Sequence, residues 1–80
     1  MQVELITPDK KAFSGEAFSV ILPGMDGYFE ILENHAPLVG ALKEGKVRIK
    51  TTAEELQFGI SSGVVEVNHN KVSLLADSLT

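Results

Sequence analysis

The sequence predicts an all-β domain, an antiparallel sandwich or barrel of about seven to ten short strands. Three observations carry that reading. Short runs of alternating apolar residues recur along the whole chain, and turn signals separate them roughly every six to ten residues. No window of about eleven residues shows a helical period.

Taken in order, Val3 to Ile6 is rich in β-formers and stops at Thr7-Pro8-Asp9-Lys10, a turn with proline in its usual position. Ala12 to Ser14 forms a short strand, with Gly15 as a bend. Ala17 to Leu22 alternates, setting Phe18, Val20 and Leu22 on one face against Ala17, Ser19 and Ile21. Pro23-Gly24 ends it.

The stretch from Leu22 to Gly45 organises the rest. It holds two of the three prolines, four of the seven glycines, the one tyrosine and one of the two histidines. Two polar turns, Pro23 to Gly27 and Glu33 to His35, bracket the short apolar run Tyr28 to Leu32. Proline presets φ and glycine accepts positive φ, so the Pro-Gly and Asp-Gly pairs encode the first of these turns locally. Two exposed loops one strand apart suit contact with a partner surface better than enclosure of a substrate.

Pro37 to Leu42 reads as a strand or irregular apolar segment, with Pro37 at its start or edge because it lacks an N–H. Lys43-Glu44-Gly45 turns the chain into Lys46 to Lys50, the cleanest period-2 pattern in the sequence. Val47 and Ile49 point inward there, with three basic residues outward. Thr51 to Glu55 is a polar hairpin connection, and Leu56, Phe58 and Ile60 form the next inward row. Ser61-Ser62-Gly63 marks a bend or bulge before Val64 to Val67. Asn68-His69-Asn70 is a tight hairpin turn of residues that tolerate left-handed φ, and Val72, Leu74 and Ala76 close the pattern.

Eighty residues make one domain, 1–80. With no cysteine there is neither a disulfide nor a thiolate metal site, and two histidines far apart in sequence do not resemble a metal site. No apolar run approaches the roughly 20 residues of a membrane span, and the N-terminus lacks a signal-peptide pattern. A soluble, cytosolic chain is expected. The net charge of −4 argues against a general nucleic-acid binder. Lys43, Lys46, Arg48 and Lys50 form a local basic group, read as the solvated face of a strand, opposed by Asp26, Glu30 and Glu33.

Candidate chemistry is sparse. His35 beside Glu33 has the composition of a general base, but no cysteine exists. Ser61-Ser62-Gly63 lacks the strand–turn–helix setting of a nucleophile elbow. His69 reads as an exposed turn residue. The glycines form no phosphate loop, and no cofactor is expected. Of Tyr28 and Phe29, alternation sends one outward, and an exposed aromatic between two turns is typical of a protein-contact hot spot. The residues alone define a small β-domain that binds another protein.

The opening V-E-L-I-T-P-D-K-K-A-F-S-G-E-A, the central P-G-M-D-G-Y-F-E-I-L-E-N-H-A-P-L-V-G-A-L-K-E-G-K-V-R-I, and the later S-S-G-V-V-E-V-N and V-S-L-L-A-D add to this. Together they resemble the N-terminal β-sandwich domain of the epsilon subunit of F-type ATP synthases. The resemblance covers essentially the whole chain, and the H-A-P motif at that spacing is its most specific part. Tyr28 stands where the family usually has Glu, Glu30 where Gly is usual, and Glu33-Asn34 in place of the common Pro-Gly. The acid thereby moves two places along the same side of the strand.

The resemblance implies a flattened antiparallel sandwich of two five-stranded sheets, and a rotor subunit that is not itself an enzyme. It implies two partners, the gamma subunit and the membrane-embedded ring of c subunits, with no nucleic acid and no small-molecule substrate. The expected place is peripheral, on the cytoplasmic face of the bacterial inner membrane. Asp26, Tyr28, Glu30, Glu33 and His35 match the region that faces the c-ring. The family normally continues into a helical hairpin that brakes ATP hydrolysis, so a chain ending at Thr80 is expected to join the rotor without that brake. Two other classes are a free-standing β-sandwich module for a peptide or ligand and a small hydrolase relying on His35. The first needs a concave aromatic-lined groove, the second a nucleophile.

Overall fold

Strands form where alternation of apolar residues lets one face be buried, and short polar turns separate them, while Gly15, Pro23, Gly40 and Gly59 lie within strands. The computed structural model describes all 80 residues and contains nine strands. These are β1 (Gln2–Ile6), β2 (Lys11–Glu16), β3 (Ser19–Gly24), β4 (Gly27–Leu32), β5 (Leu38–Leu42), β6 (Gly45–Lys50), β7 (Glu55–Ile60), β8 (Gly63–Asn68) and β9 (Lys71–Ala76). No helix is long and apolar enough to cross a membrane.

The strands hydrogen-bond in the order β2-β1-β9-β8-β5-β3-β6-β7, with β4 on the other edge of β3. Between β3 and β5 the ladder narrows to a single rung, Gly24 opposite Leu42. The sheet therefore curls there into two halves, β4-β3-β6-β7 and β5-β8-β9-β1-β2. A bridge from Ile60 to Leu79 lays the last residues along β7 as the start of a fifth member of the first half. All pairs are antiparallel except β1 with β9, which run parallel. These are the first and last strands, so no tight hairpin has to join them.

Both halves turn their apolar faces onto one core of 16 buried residues. Val20, Leu22, Ile31, Val47, Ile49 and Ile60 come from one side, and Val3, Leu5, Val65, Val67, Val72 and Leu74 from the other. Burying each such side chain is worth about 1.5–3 kcal/mol relative to exposure. The rows predicted in β6 and β9 are those observed.

Three expectations are corrected. Phe18 does not join Val20 and Leu22; it precedes β3 and is 46% exposed. Gly15 does not bend the chain but continues β2 opposite Val3. Leu56 and Phe58 are only partly buried, because β7 lies at the rim of its half with only the Leu79 bridge beyond it.

Local chemistry sets the turns. His69 and Asn70 have φ of 50° and 57°, the paired positive values of a two-residue type I′ hairpin. Met25–Asp26 joins β3 to β4, and the following Gly27 has φ 130°, a conformation comfortable only for glycine.

Candidate functional site: an outward face on an edge strand

β4 pairs with β3 along one side only, so it is an edge strand. Its alternation sends Ile31 into the core and packs Phe29 against it, leaving Tyr28, Glu30 and Leu32 outward. Tyr28 is 57% exposed. Opposite them on β3 stand Pro23, Ile21 and Ser19. Beyond β3, Arg48 of β6 faces Ile21 and Lys50 faces Ser19. The outer face of this half is therefore ordered by charge, with an acidic, aromatic strand on one side of β3 and a basic strand on the other.

The charges on this face are partly paired. The Ser19 hydroxyl donates to the Glu30 carboxylate. Arg48 Nε donates to Glu55 at 2.9 Å, and this guanidinium holds the Glu55 carboxyl below its ordinary range. Lys43, Lys46 and Lys50 take part in no ion pair. The Tyr28 hydroxyl accepts the Lys46 backbone N–H at 3.0 Å.

Of the five residues expected to face a partner ring, the structure sets one at the tip of the β3–β4 hairpin, two on the outer face of β4 and two past its other end. Asp26 is exposed at the hairpin tip, and Tyr28 and Glu30 follow on the outer face of β4. Glu33 and His35 lie past the other end of this six-residue strand, so that Glu33 stands roughly 17 Å along the strand from Tyr28 but about 10 Å from Glu30, at about 3.3 Å per residue. Glu33 is occupied there. Its carboxylate binds the Met1 ammonium, which also donates to the Ala17 carbonyl at 3.0 Å and lies 3.4 Å from Glu16. Hydrogen bonding to Glu33 raises the pKa of this ammonium above its ordinary value, against the smaller opposing effect of burial. The His35 Nδ1–H donates to the Ala36 carbonyl at 2.7 Å, an internal loop contact.

Sequence reasoning missed the tether from Tyr28 to Lys46, which only tertiary register creates. It also missed an exposed apolar row on the other half. Ala41, Val64, Leu75 and Ile6 stand on successive rungs of β5, β8, β9 and β1, with Val64 44% and Leu75 54% exposed. Period-2 reading of β8 and β9 was the available signal.

No group of three His, Cys, Asp or Glu side chains is placed to hold a metal ion. The largest hollow, about 500 Å³, is an open depression beside the β3–β4 hairpin lined by residues such as Met25, Tyr28, Phe29 and Leu38. Polar groups do not converge there as they do at an acid–base or phosphate site. Fold and surface together describe a small, curled all-β domain with an exposed acidic and aromatic face on one edge strand.

Residues 1–80 match the β-sandwich domain of the ATP synthase delta/epsilon chain, and the protein belongs to that family. It is 46% identical over 80 residues to the ATP synthase epsilon chain of Chlorobium limicola, covering 99% of this chain and 91% of that one. It is 38% identical over 78 residues to the epsilon chain of Protochlamydia amoebophila, covering 96% of this chain but 53% of that relative. A chain in the central stalk and c-ring of the Tetrahymena thermophila mitochondrial ATP synthase superposes with a TM-score of 0.88 at 20% identity. That match covers 99% of this chain and 64% of the other.

Proposed function

We propose that this chain is a non-catalytic rotor subunit of an F-type ATP synthase, coupling rotation of the c-subunit ring to the gamma subunit during ATP synthesis. The observation that carries this reading is family membership across the full 80 residues. The complex is membrane-associated, and the chain sits on it peripherally, at the cytoplasmic face of the bacterial inner membrane. No bond is made or broken on this subunit. Its task is to transmit torque, which calls for a stiff body gripped at two surfaces, and a curled β-sheet around one core supplies that body.

Asp26, Tyr28 and Glu30 form the ring-facing surface in this reading, with the Glu33–His35 loop at its far end. Exposed ion pairs contribute about 0–1 kcal/mol each. Charge matching therefore sets partner choice and register, and a desolvated aromatic such as Tyr28 supplies more of the attachment.

Co-expression with a gamma subunit tests the reading. The chain is expected to co-purify with gamma in a stoichiometric complex that survives size exclusion. Elution as a free small protein in the presence of folded gamma contradicts it and favours a free-standing binding module.

A further inference from the structure

The turn between β5 and β6 abuts the β3–β4 hairpin. Outside the strand ladders, one hydrogen bond holds this turn and a second holds the start of β6 that follows it. The Lys43 N–H donates to the Pro23 carbonyl at 2.9 Å, and the Lys46 N–H donates to the Tyr28 hydroxyl at 3.0 Å. The second bond crosses β3. The rungs between β3 and β6 end at Ile21–Arg48, so Lys46 lies past the end of that ladder. Tyr28 reaches over from β4, opposite Pro23, and supplies the acceptor. The fit is close. A Cβ at Gly45 would come within 2.6 Å of the Tyr28 hydroxyl oxygen and 2.7 Å of Pro23 Cβ, so only glycine lets the turn lie against these groups.

Four charged residues meet at this end of the domain. Asp26, Lys43, Glu44 and Lys46 are all exposed, and none is in an ion pair. Their charges are unspent within the chain and held on two turns fastened to each other.

We infer that Tyr28 is a positioning residue, whose hydroxyl holds the start of β6, and with it the Lys43–Glu44 turn, beside the Met25–Asp26 tip as the second half of the ring-contact surface. The inference rests on the ring-contact reading above. The surface so formed carries both signs of charge within one rigid edge, and it fits a polar loop of the ring that itself carries both. Fixing the turn before contact removes an ordering cost that a loose loop would meet on binding.

The test combines amide exchange of the 80-residue chain with pumping by the reconstituted complex. Tyr28→Phe keeps the ring and removes only the acceptor. Exchange at the Lys46 amide is expected to quicken by about two- to tenfold, the range of one lost hydrogen bond, while core β6 amides hold their rates. Pumping per ATP hydrolysed is expected to fall, and to fall no further when Lys43→Ala and Glu44→Ala are added, since both changes disable one turn. Unaltered Lys46 exchange overturns the inference, and so does a fully additive loss. A loss on Asp26→Asn, Tyr28→Ala and Glu30→Gln together, with none on Tyr28→Phe or on the turn variant, overturns it and leaves the ring-contact reading standing. If that combined variant also pumps as wild type, the ring-contact reading has failed and this inference with it.

Discussion

The Asn70 side-chain carbonyl accepts the Asn34 backbone N–H at 2.7 Å, joining two turns that lie 36 residues apart. Both residues hold left-handed backbones, with φ of 63° at Asn34 and 57° at Asn70. Asparagine tolerates that region better than residues without a short polar side chain. Asn70→Gly removes the acceptor but keeps the backbone at ease, so it is expected to cost about 0.5–1.5 kcal/mol. Asn70→Ala loses the same bond and adds left-handed strain, for a total of about 1.5–3.5 kcal/mol. Urea unfolding midpoints measure the difference. Equal losses would mean that φ does not constrain this turn.

Ile49 is fully buried at the centre of the β4-β3-β6-β7 half, whereas Phe58 is only partly buried on the rim strand β7. Ile49→Ala is expected to cost about 2–5 kcal/mol. In a domain of this size that lowers Tm by at least about 8 °C. Phe58→Ala is expected to cost less than the roughly 3–5 kcal/mol of a fully enclosed phenylalanine. Thermal melts decide it. A larger loss at Phe58 than at Ile49 would show that the rim is packed more tightly than its exposure indicates.

These two positions also mark how far the sequence could be read. Alternation along Lys46–Lys50 identifies Val47 and Ile49 because the strand is flanked on both sides, so every inward side chain is covered. The same alternation names Leu56 and Phe58 but cannot say that their strand lies at the rim, which is a property of topology. Phe18 fails for another reason: it lies outside β3, where the period no longer applies. The hairpin at His69–Asn70 was legible because its backbone conformation is a local preference. For the candidate site, Tyr28 and Glu30 were legible as outward neighbours on one strand. Asp26 on one side and Glu33 and His35 on the other stand at opposite ends of β4, a separation that nearness in sequence does not reveal because an extended strand carries its two ends apart.

The Met1 ammonium gives a pH dependence of defined sign. Its folded pKa is raised above the ordinary 8.0 by Glu33. A raised pKa favours the folded state while the group is protonated in both states, so the contribution is fully present below about pH 8. It is lost as pH rises through the higher folded value. The 80-residue chain is therefore expected to lose stability on the alkaline side of pH 8. Glu33→Gln is expected to flatten that decline. Chemical denaturation at a series of pH values checks it, and an equal decline in both proteins would show that Glu33 is not the cause.

The central claim is that the outer face of β4 attaches this subunit to the rotating ring. Removing one exposed charge there is expected to be nearly silent, at about 0–1 kcal/mol. Removing the aromatic with both acids takes away an anchor worth about 2 kcal/mol or more, roughly a thirtyfold weakening. The direct measurement is ion pumping per ATP hydrolysed by the reconstituted complex carrying Asp26→Asn, Tyr28→Ala and Glu30→Gln, with the melting curve of the variant chain as the control for folding. The account predicts a folded subunit and a clear drop in ions pumped per ATP. A folded variant that pumps as many ions per ATP as wild type would contradict it.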